Sequence, residues 1–208
     1  MLKLLKQIVD GILAGLLIAI GGTVLLSCED KIVGAVLFSV ALLCICLLGY
    51  SLYTGKICYI ADHPTRETFS VLLLGLLGNL IGTFACGRAI RFALPAVGEK
   101  ALAMCEGKLE QTFPVTLIRA LFCGVLIYLA VEIYRRGKGI VGILFCIPVF
   151  IMSGFEHSIA DMYYFAASGL VSLQGTGFLF TVLLGNSLGG LLIPLLGKIG
   201  GAKNEPAA

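Results

Sequence analysis

The chain has 208 residues, of which 59% are hydrophobic and only 13% are charged, and its mean hydropathy is +1.03. A soluble domain carries roughly 25% charged residues, so this composition excludes an ordinary soluble protein and predicts an integral membrane protein. The formal net charge of +3 is too small to indicate a nucleic-acid partner.

Apolar runs in chain order predict the spans. A spanning helix needs about 20 residues, so we expect an all-α integral membrane protein with about six transmembrane helices in a single channel-sized domain over residues 1–208. The first run begins after early lysines, as a signal peptide does, but it is longer than a typical h-region and lacks a small-residue cleavage site; we interpret it as a retained span. The expected spans lie near 7–27, 32–60, 69–92, 114–134, 139–171 and 175–199.

The second and fifth of these runs are interrupted. Glycine and polar residues break them at "GYSLYTGK" (Gly49–Lys56) and at "SGFEHSIAD" (Ser153–Asp161). Backbone freed by such breaks must be satisfied by protein or by cavity water, because lipid cannot bond to it. Two broken helices at matching positions favour a transport site at the membrane midplane.

A short repeat accompanies the breaks. "LLGNLIGT" (Leu76–Thr83) in the third run corresponds to "LLGNSLGG" (Leu183–Gly190) in the sixth. The chain therefore reads as two halves of three spans, at approximately 1–95 and 110–200, and an odd number of spans inverts the second half relative to the first. We expect Asn79 and Asn186 to have structural roles at the helix breaks.

Basic residues in the loops predict the orientation. Nine lie on the side of both termini: Lys3, Lys6, Lys56, Arg66, Arg135, Arg136, Lys138, Lys198 and Lys203. Five lie on the opposite side: Lys31, Arg88, Arg91, Lys100 and Lys108. The positive-inside rule therefore predicts a multi-pass protein of the inner (plasma) membrane with both termini in the cytoplasm.

The breaks also carry the candidate functional side chains. His157 is an ionisable residue inside the membrane, which makes it a functional candidate by default, and it could donate a hydrogen bond or a proton to a small anion. Thr54 lies at the corresponding break and could orient a substrate. Capping or satisfying broken backbone is the alternative for both residues. We expect Glu156 to anchor the loop and Asp161 to cap the second half-helix or hold a polar contact.

Other features leave alternatives open. The segment 88–113 is the longest outside connection, and it is either a solvated loop or a cationic funnel for anions. Large apolar side chains flanking the breaks could form constrictions, with ordinary packing as the default: Phe38, Leu42, Leu52 and Phe150. The eight cysteines are scattered without a CxxC pair, so we expect neither a metal site nor a cofactor.

Four motifs together resemble the formate/nitrite transporter family: "GFEHSIADM", "LYTGK", "GNLIG" and "GNSLGG". The resemblance covers nearly the whole chain. It implies an aquaporin-like protomer assembled as a homopentamer, with one pore per protomer for small monovalent anions of weak acids such as formate, nitrite, hydrosulfide or lactate. No NPA motif is present, which disfavours a true aquaporin.

The resemblance also implies roles by position. His157 matches the central pore histidine, Thr54 the threonine of the first break, and Lys108 the lysine of the outer vestibule. The phenylalanines Phe38 and Phe150 match the outer constriction, and Leu42 and Leu52 the inner one.

The chain departs from the family pattern in four places. Asp161 and Gly124 stand where asparagines are usual, and Gly124 would widen the pore or remove a donor. Arg119 within the fourth span is unexpected. It could line the pore and attract anions, or its side chain could snorkel to the membrane interface. Only about six residues precede the first span, where the family often has a longer amphipathic helix.

We therefore expect a transmembrane channel or transporter for small weak-acid anions, with protons and the lipid bilayer as its other partners and a proton link through His157. A channel for neutral solutes such as water or glycerol is the first alternative, and a membrane scaffold or regulatory subunit with a vestigial pore is the second. No nucleophile–base pair or metal cluster is evident, so we expect no enzyme.

Overall fold

A computed structural model describes residues 2–200, and these residues form ten helices. They are α1 (Leu2–Ser27), α2 (Lys31–Leu48), α3 (Tyr53–Lys56), α4 (Tyr59–Asp62), α5 (Arg66–Ala93), α6 (Pro95–Leu109), α7 (Phe113–Arg135), α8 (Val141–Met152), α9 (Ser158–Ser168) and α10 (Leu173–Ile199). Among the described residues, α1, α2, α5, α7 and α10 are long and apolar enough to cross a membrane, and α8 is a shorter apolar helix. The expectation of an all-helical, multi-pass membrane protein is confirmed at this level.

Both breaks lie where the sequence predicts them. Helix α2 ends at Leu48, where Gly49 adopts a left-handed φ of 74° and donates its N–H to the Ile45 carbonyl. Helix α8 ends at Met152 and is followed by Gly154, with φ of 69°. A left-handed residue after a helix is usually glycine, because a side chain is strained there. The chain then re-enters helix at α3 and at α9.

Glycine contacts bring α1 against α5 and α7 against α10. A Cβ atom on Gly15 would lie 3.0 Å from the Thr83 backbone nitrogen. A Cβ atom on Gly124 would lie 2.9 Å from the Asn186 Cα atom. The helix axes approach this closely only because these side chains are absent.

The contact made by Gly124 corrects one expectation. We expected Gly124 to widen the pore or to remove a pore-lining donor, but it packs against the backbone of Asn186 on α10. The rotation of α7 about its own axis points position 124 toward α10.

Most of the segment 88–113 is helical, so the first of its two alternatives, a solvated loop, is wrong. Helix α5 continues to Ala93, and α6 begins immediately at Pro95. Proline is favoured in the first turn of a helix, where its missing N–H has no partner to lose. Three residues at four-residue spacing (Val97, Ala101, Cys105) are buried along one side of α6. Helix α6 therefore packs into the protein, with α9 as a main partner.

Ion pairs and hydrogen bonds group the basic residues into two ends. At one end Lys3 pairs with Glu67 and Lys198 Nζ lies 3.1 Å from Asp62 Oδ1. At the other end Lys100 Nζ donates to the Leu26 carbonyl over 2.9 Å. These contacts agree with the predicted sets for Lys3, Lys198 and Lys100, and Lys203 lies outside the described residues.

Candidate functional site

Asn79 binds the backbone of the first break through side-chain hydrogen bonds. The Asn79 Oδ1 atom accepts from the backbone N–H of Tyr53 over 2.9 Å. Its Nδ2 atom donates to the carbonyls of Ser51 (2.8 Å) and Gly11 (2.9 Å). Asn79 is fully buried, and it satisfies both a donor and an acceptor that the break leaves without helical partners.

Asn186 makes the same three contacts at the second break. Its Oδ1 atom accepts from the Ser158 backbone N–H over 2.8 Å. Its Nδ2 atom donates to the carbonyls of Glu156 and Ala120, each over 2.8 Å. Each asparagine therefore joins three elements: its own helix, the start of a half-helix, and the long helix beside it. The glycines of the repeat let each asparagine's helix approach the neighbouring long helix closely, and each asparagine lies at that helix crossing.

His157 and Thr54 meet between the two breaks. The His157 Nε2 atom lies 2.8 Å from Thr54 Oγ1, and both residues are buried. His157 is also the N-cap of α9, because its Nδ1 atom accepts the backbone N–H of Ala160 over 3.2 Å. An accepting Nδ1 carries no proton, so the neutral ring has its proton on Nε2 and donates to Thr54. The Thr54 hydroxyl proton is then free to be donated onward.

The four predicted constriction residues fall into two groups. The rings of Phe38 on α2 and Phe150 on α8 meet edge to face with centroids 6.2 Å apart. The Phe150 ring lies 5.8 Å from the His157 ring. Leu42 and Leu52 are buried and line a separate cavity at the end of the molecule that holds Lys56 and Arg135. The structure thus places Phe150 beside His157 with Phe38 next to it, and Leu42 and Leu52 at the separate cavity.

A second cavity opens at the opposite end, and a cluster of charged side chains lines it. Lys108 at the end of α6 pairs with Glu156 Oε2, and its Nζ atom lies 3.0 Å from Asp161 Oδ1. We call Lys108, Glu156 and Asp161 the outer triad. All three line the cavity, as do Phe150 and His157.

The surroundings of the outer triad set the charge of Lys108. Burial disfavours its ammonium, but the adjacent Asp161 and Glu156 carboxylates more than offset this and hold the pKa of Lys108 above its ordinary value. Lys108 is therefore charged at physiological pH. Asp161, expected as a helix cap or a polar contact, lies in the first turn of α9 and makes the contact with Lys108, while His157 is the cap.

Two further cations line the outer cavity. Arg119 on α7 and Lys31 on α2 are exposed there. Within residues 2–200, neither has a carboxylate at ion-pair distance. Of the four basic residues expected in a funnel over 88–113, the structure places only Lys108 at this cavity: Arg91 donates to the Ser168 carbonyl and Lys100 to the Leu26 carbonyl.

Sequence reasoning missed Gln111. Its Nε2 atom donates to Glu156 Oε1 over 2.7 Å. The signal was present, because Gln111 follows Lys108 by three residues at the end of a segment whose apolar spacing is helical. Sequence reasoning left Arg119 undecided, and the structure places it at the outer cavity. No group of three or more potential metal ligands is found in the described part of the chain.

The long apolar helices, the two interrupted ones and the polar centre between two cavities define a membrane channel or transporter. The model of the family described as "Formate/nitrite transporter" matches residues 1–199. The chain therefore belongs to the formate/nitrite transporter family, whose members are channels and transporters and not enzymes.

Individual relatives agree with this assignment. The chain is 30% identical over 183 residues to an uncharacterized transporter, YrhG, of Bacillus subtilis, covering 77% of this chain and 68% of the relative. It is 28% identical over 191 residues to the nitrite transporter NirC of Escherichia coli, covering 82% and 71%. A solved pentameric formate channel with formate bound has the same fold, with a TM-score of 0.76 at 22% identity over 97% of this chain and 98% of that one.

Proposed function

We propose that the protein is a membrane channel or transporter for small monovalent anions of weak acids, such as formate, nitrite or hydrosulfide. The observation that carries this proposal is the buried His157–Thr54 hydrogen bond, with the Phe150 ring beside His157 and with one cavity lined by each of the two breaks. A hydrated ion is excluded by such constrictions. A small solute that accepts one hydrogen bond fits beside a lone donor in apolar surroundings. The names of the relatives support formate and nitrite among these anions.

The architecture that we propose for this function has six spans in one domain over residues 1–208. Helices α2 and α3 would form the broken second span, and α8 and α9 the broken fifth. The halves 1–95 and 110–200 would form an aquaporin-like inverted repeat. The matching bonds of Asn79 and Asn186 support this arrangement, because each side chain bonds corresponding backbone groups of its own break.

Passage through the centre requires a low charge. A bare anion between the phenylalanine pair and the leucine pair would lose its hydration with little compensation. In the proposed path, Lys108 and its cavity gather the anion, and Thr54 then donates its hydroxyl proton to a substrate oxygen while His157 Nε2–H donates to Thr54. Placing a second proton on His157 would take Nδ1 away from the Ala160 N–H. His157 therefore acts in this scheme by hydrogen-bond donation.

Assembly and location are also proposals. The formate channel of the same fold is pentameric, and a homopentamer with one pore per protomer is the assembly that we propose here. Of the two sets of basic loop residues predicted from the sequence, the set on the side of both termini is the larger, so the positive-inside rule places that side in the cytoplasm of an inner (plasma) membrane.

Replacement of His157 tests the proposed function. In proteoliposomes, we expect wild-type protein to conduct formate, nitrite or hydrosulfide, and the His157→Asn variant to conduct them about twofold to tenfold more slowly, because the hydrogen bond that orients the Thr54 hydroxyl is lost and a neutral hydrogen bond is worth about 0.5–1.5 kcal/mol. Initial rates would be measured at several pH values. Thr176→Ala on the exposed start of α10, whose hydroxyl bonds only the Ser172 carbonyl, is the control and should conduct at the wild-type rate.

Each alternative predicts a different outcome. Unchanged anion flux in His157→Asn at every pH would remove the role of His157. Osmotic swelling with water or glycerol that is insensitive to Lys108→Ala would favour a channel for neutral solutes. A wild-type protein that conducts none of these solutes would favour a scaffold or regulatory subunit.

Arg119 should raise the rate at which anions reach the outer cavity. It is exposed and has no acidic partner there, so its field acts on the solvent. We expect Arg119→Gln to slow anion uptake by about 1.4-fold to fivefold at low ionic strength, which corresponds to the roughly 0.2–1 kcal/mol of an exposed charge, and by less at physiological salt. Arg88→Gln, at an exposed position of α5 outside the cavity lining, is the control. An equal loss in both variants would assign the effect to general surface charge.

A further inference from the structure

With both of its acids ionised, the outer triad would carry a net charge of −1 in a buried site. Lys108 supplies one positive charge, and Glu156 and Asp161 would supply two negative charges if both were ionised. The side chains of the two acids are only 4% and 1% exposed. Two carboxylates that share one buried ammonium repel each other, and such a pair relieves the repulsion by keeping one proton.

The two carboxyl groups differ in their partners. Glu156 has both oxygens occupied, Oε2 by Lys108 and Oε1 by Gln111 Nε2 at 2.7 Å. Asp161 has only Oδ1 near Lys108, and its Oδ2 atom is buried with no hydrogen-bond partner among the described residues. A buried carboxylate oxygen without a donor is costly, whereas a protonated carboxyl group needs fewer donors. The proton therefore belongs on Asp161.

The other charged or titratable groups around Asp161 do not cancel this excess. The thiols and the phenol are neutral near pH 7, the cations lining the cavity are exposed to screening water, and one arginine binds the far end of α9. These groups are Cys105 of α6, Cys123 and Arg119 of α7, Tyr164 of α9, Lys31 of α2 and Arg91 of α5.

We propose that Asp161 holds an exchangeable proton and gives it to the incoming anion in the outer cavity. This step rests on the proposed function and names the proton source of the same site. The O–H bond of the Asp161 carboxyl group breaks, and a new O–H bond forms on formate or nitrite, or an S–H bond on hydrosulfide. The neutral acid then enters the phenylalanine constriction. A hydronium ion from the solvent then returns a proton to Asp161 and becomes water, and no electrons are exchanged with another reactant.

Lys108 makes the step reversible. Its ammonium, 3.0 Å from Oδ1, stabilises the carboxylate that Asp161 becomes after donation. Lys108 therefore acts both on the anion that arrives and on the acid that protonates it.

Infrared spectroscopy of the reconstituted protein without substrate tests the proton directly. We expect wild-type protein to show the carbonyl band of a protonated carboxyl group, shifted by exchange into deuterated buffer. Asp161→Asn keeps the shape but cannot release a proton, and it should lack the band. Asp161→Glu should restore it. Glu106→Gln, an exposed acid on α6, should leave it unchanged.

Uptake of formate into proteoliposomes tests the donation. We expect Asp161→Asn to slow uptake about tenfold or more at neutral pH, as for a lost general acid, with a smaller difference at acid pH, where the solution already supplies neutral formic acid. Asp161→Glu should recover most of the rate.

Absence of the band in wild-type protein, or its persistence in Asp161→Asn, overturns the proposal. A pH profile of uptake that is the same in wild-type protein and Asp161→Asn overturns the donation step. Lack of any anion flux in wild-type protein that shows the band overturns the transport function and the donation, but not the proton on Asp161.

Discussion

Replacing Asn186 by leucine is expected to lower the free energy of unfolding by at least about 3 kcal/mol, because an unsatisfied buried polar group costs about 1–3 kcal/mol. Leucine has nearly the same size but no donor or acceptor. The substitution would leave the Ser158 N–H and the Glu156 and Ala120 carbonyls without their side-chain partner. Neither lipid nor the apolar surroundings can replace these bonds. The measurement is thermal unfolding of the protein in detergent.

The control for Asn186→Leu is Thr181→Ala on the same helix. The Thr181 hydroxyl bonds only the Gly177 carbonyl of α10 itself, over 2.9 Å, so its removal should change the stability by no more than about 0.5 kcal/mol. Similar unfolding temperatures for the two variants would contradict the role of Asn186 in holding the break. The Asn186→Leu variant should also lose transport, because Ser158 and Glu156 flank His157.

Two glycine-to-alanine substitutions on α10 are expected to have opposite signs. A Cβ atom on Gly189 would lie 2.9 Å from the Leu121 carbonyl carbon and 2.9 Å from the Val125 nitrogen. These are backbone atoms of α7, so they yield only if the two helices separate. Overpacking of this kind costs about 1–3 kcal/mol or more. We expect Gly189→Ala to lower stability by about 2 kcal/mol, despite the better helix propensity of alanine.

Gly177→Ala is the matched control. A Cβ atom on Gly177 would meet no atom within 4 Å, so only the helix propensity changes. We expect this variant to gain up to about 1 kcal/mol. Both would be compared by thermal unfolding in the same detergent, and a destabilisation shared by both would show that the close approach of α7 and α10 does not explain the effect.

The helix breaks were predictable because their composition differs from that of the apolar runs around them. Glycine and charged residues inside long apolar runs mark Gly49–Lys56 and Ser153–Asp161 as interruptions, and the structure ends helices at both places. The repeated glycine–asparagine elements were also visible. Each asparagine then bonds its break because a fully polar side chain buried in an apolar helix must find partners.

Helix α6 was not predicted because its many charged residues outweighed the helical spacing of its few apolar ones. Lysines and glutamates between 99 and 110 suggested solvent, while the spacing of Val97, Ala101 and Cys105 and the leading Pro95 favoured a helix that packs. The outer triad was not predictable in detail, since it depends on where the end of α6 meets the second break. Gly124 was placed wrongly because sequence position does not determine the rotation of α7.

The N-cap role of His157 limits how this protein can diversify. The ring that bonds Thr54 also begins α9 through the Ala160 N–H, and α9 carries Asp161 one turn later. A new side chain at position 157 must therefore start a helix as well as suit a new solute. Serine, asparagine and aspartate can do the first, so redesign of the solute preference is best attempted with these residues, and with a compensating donor supplied from position 54.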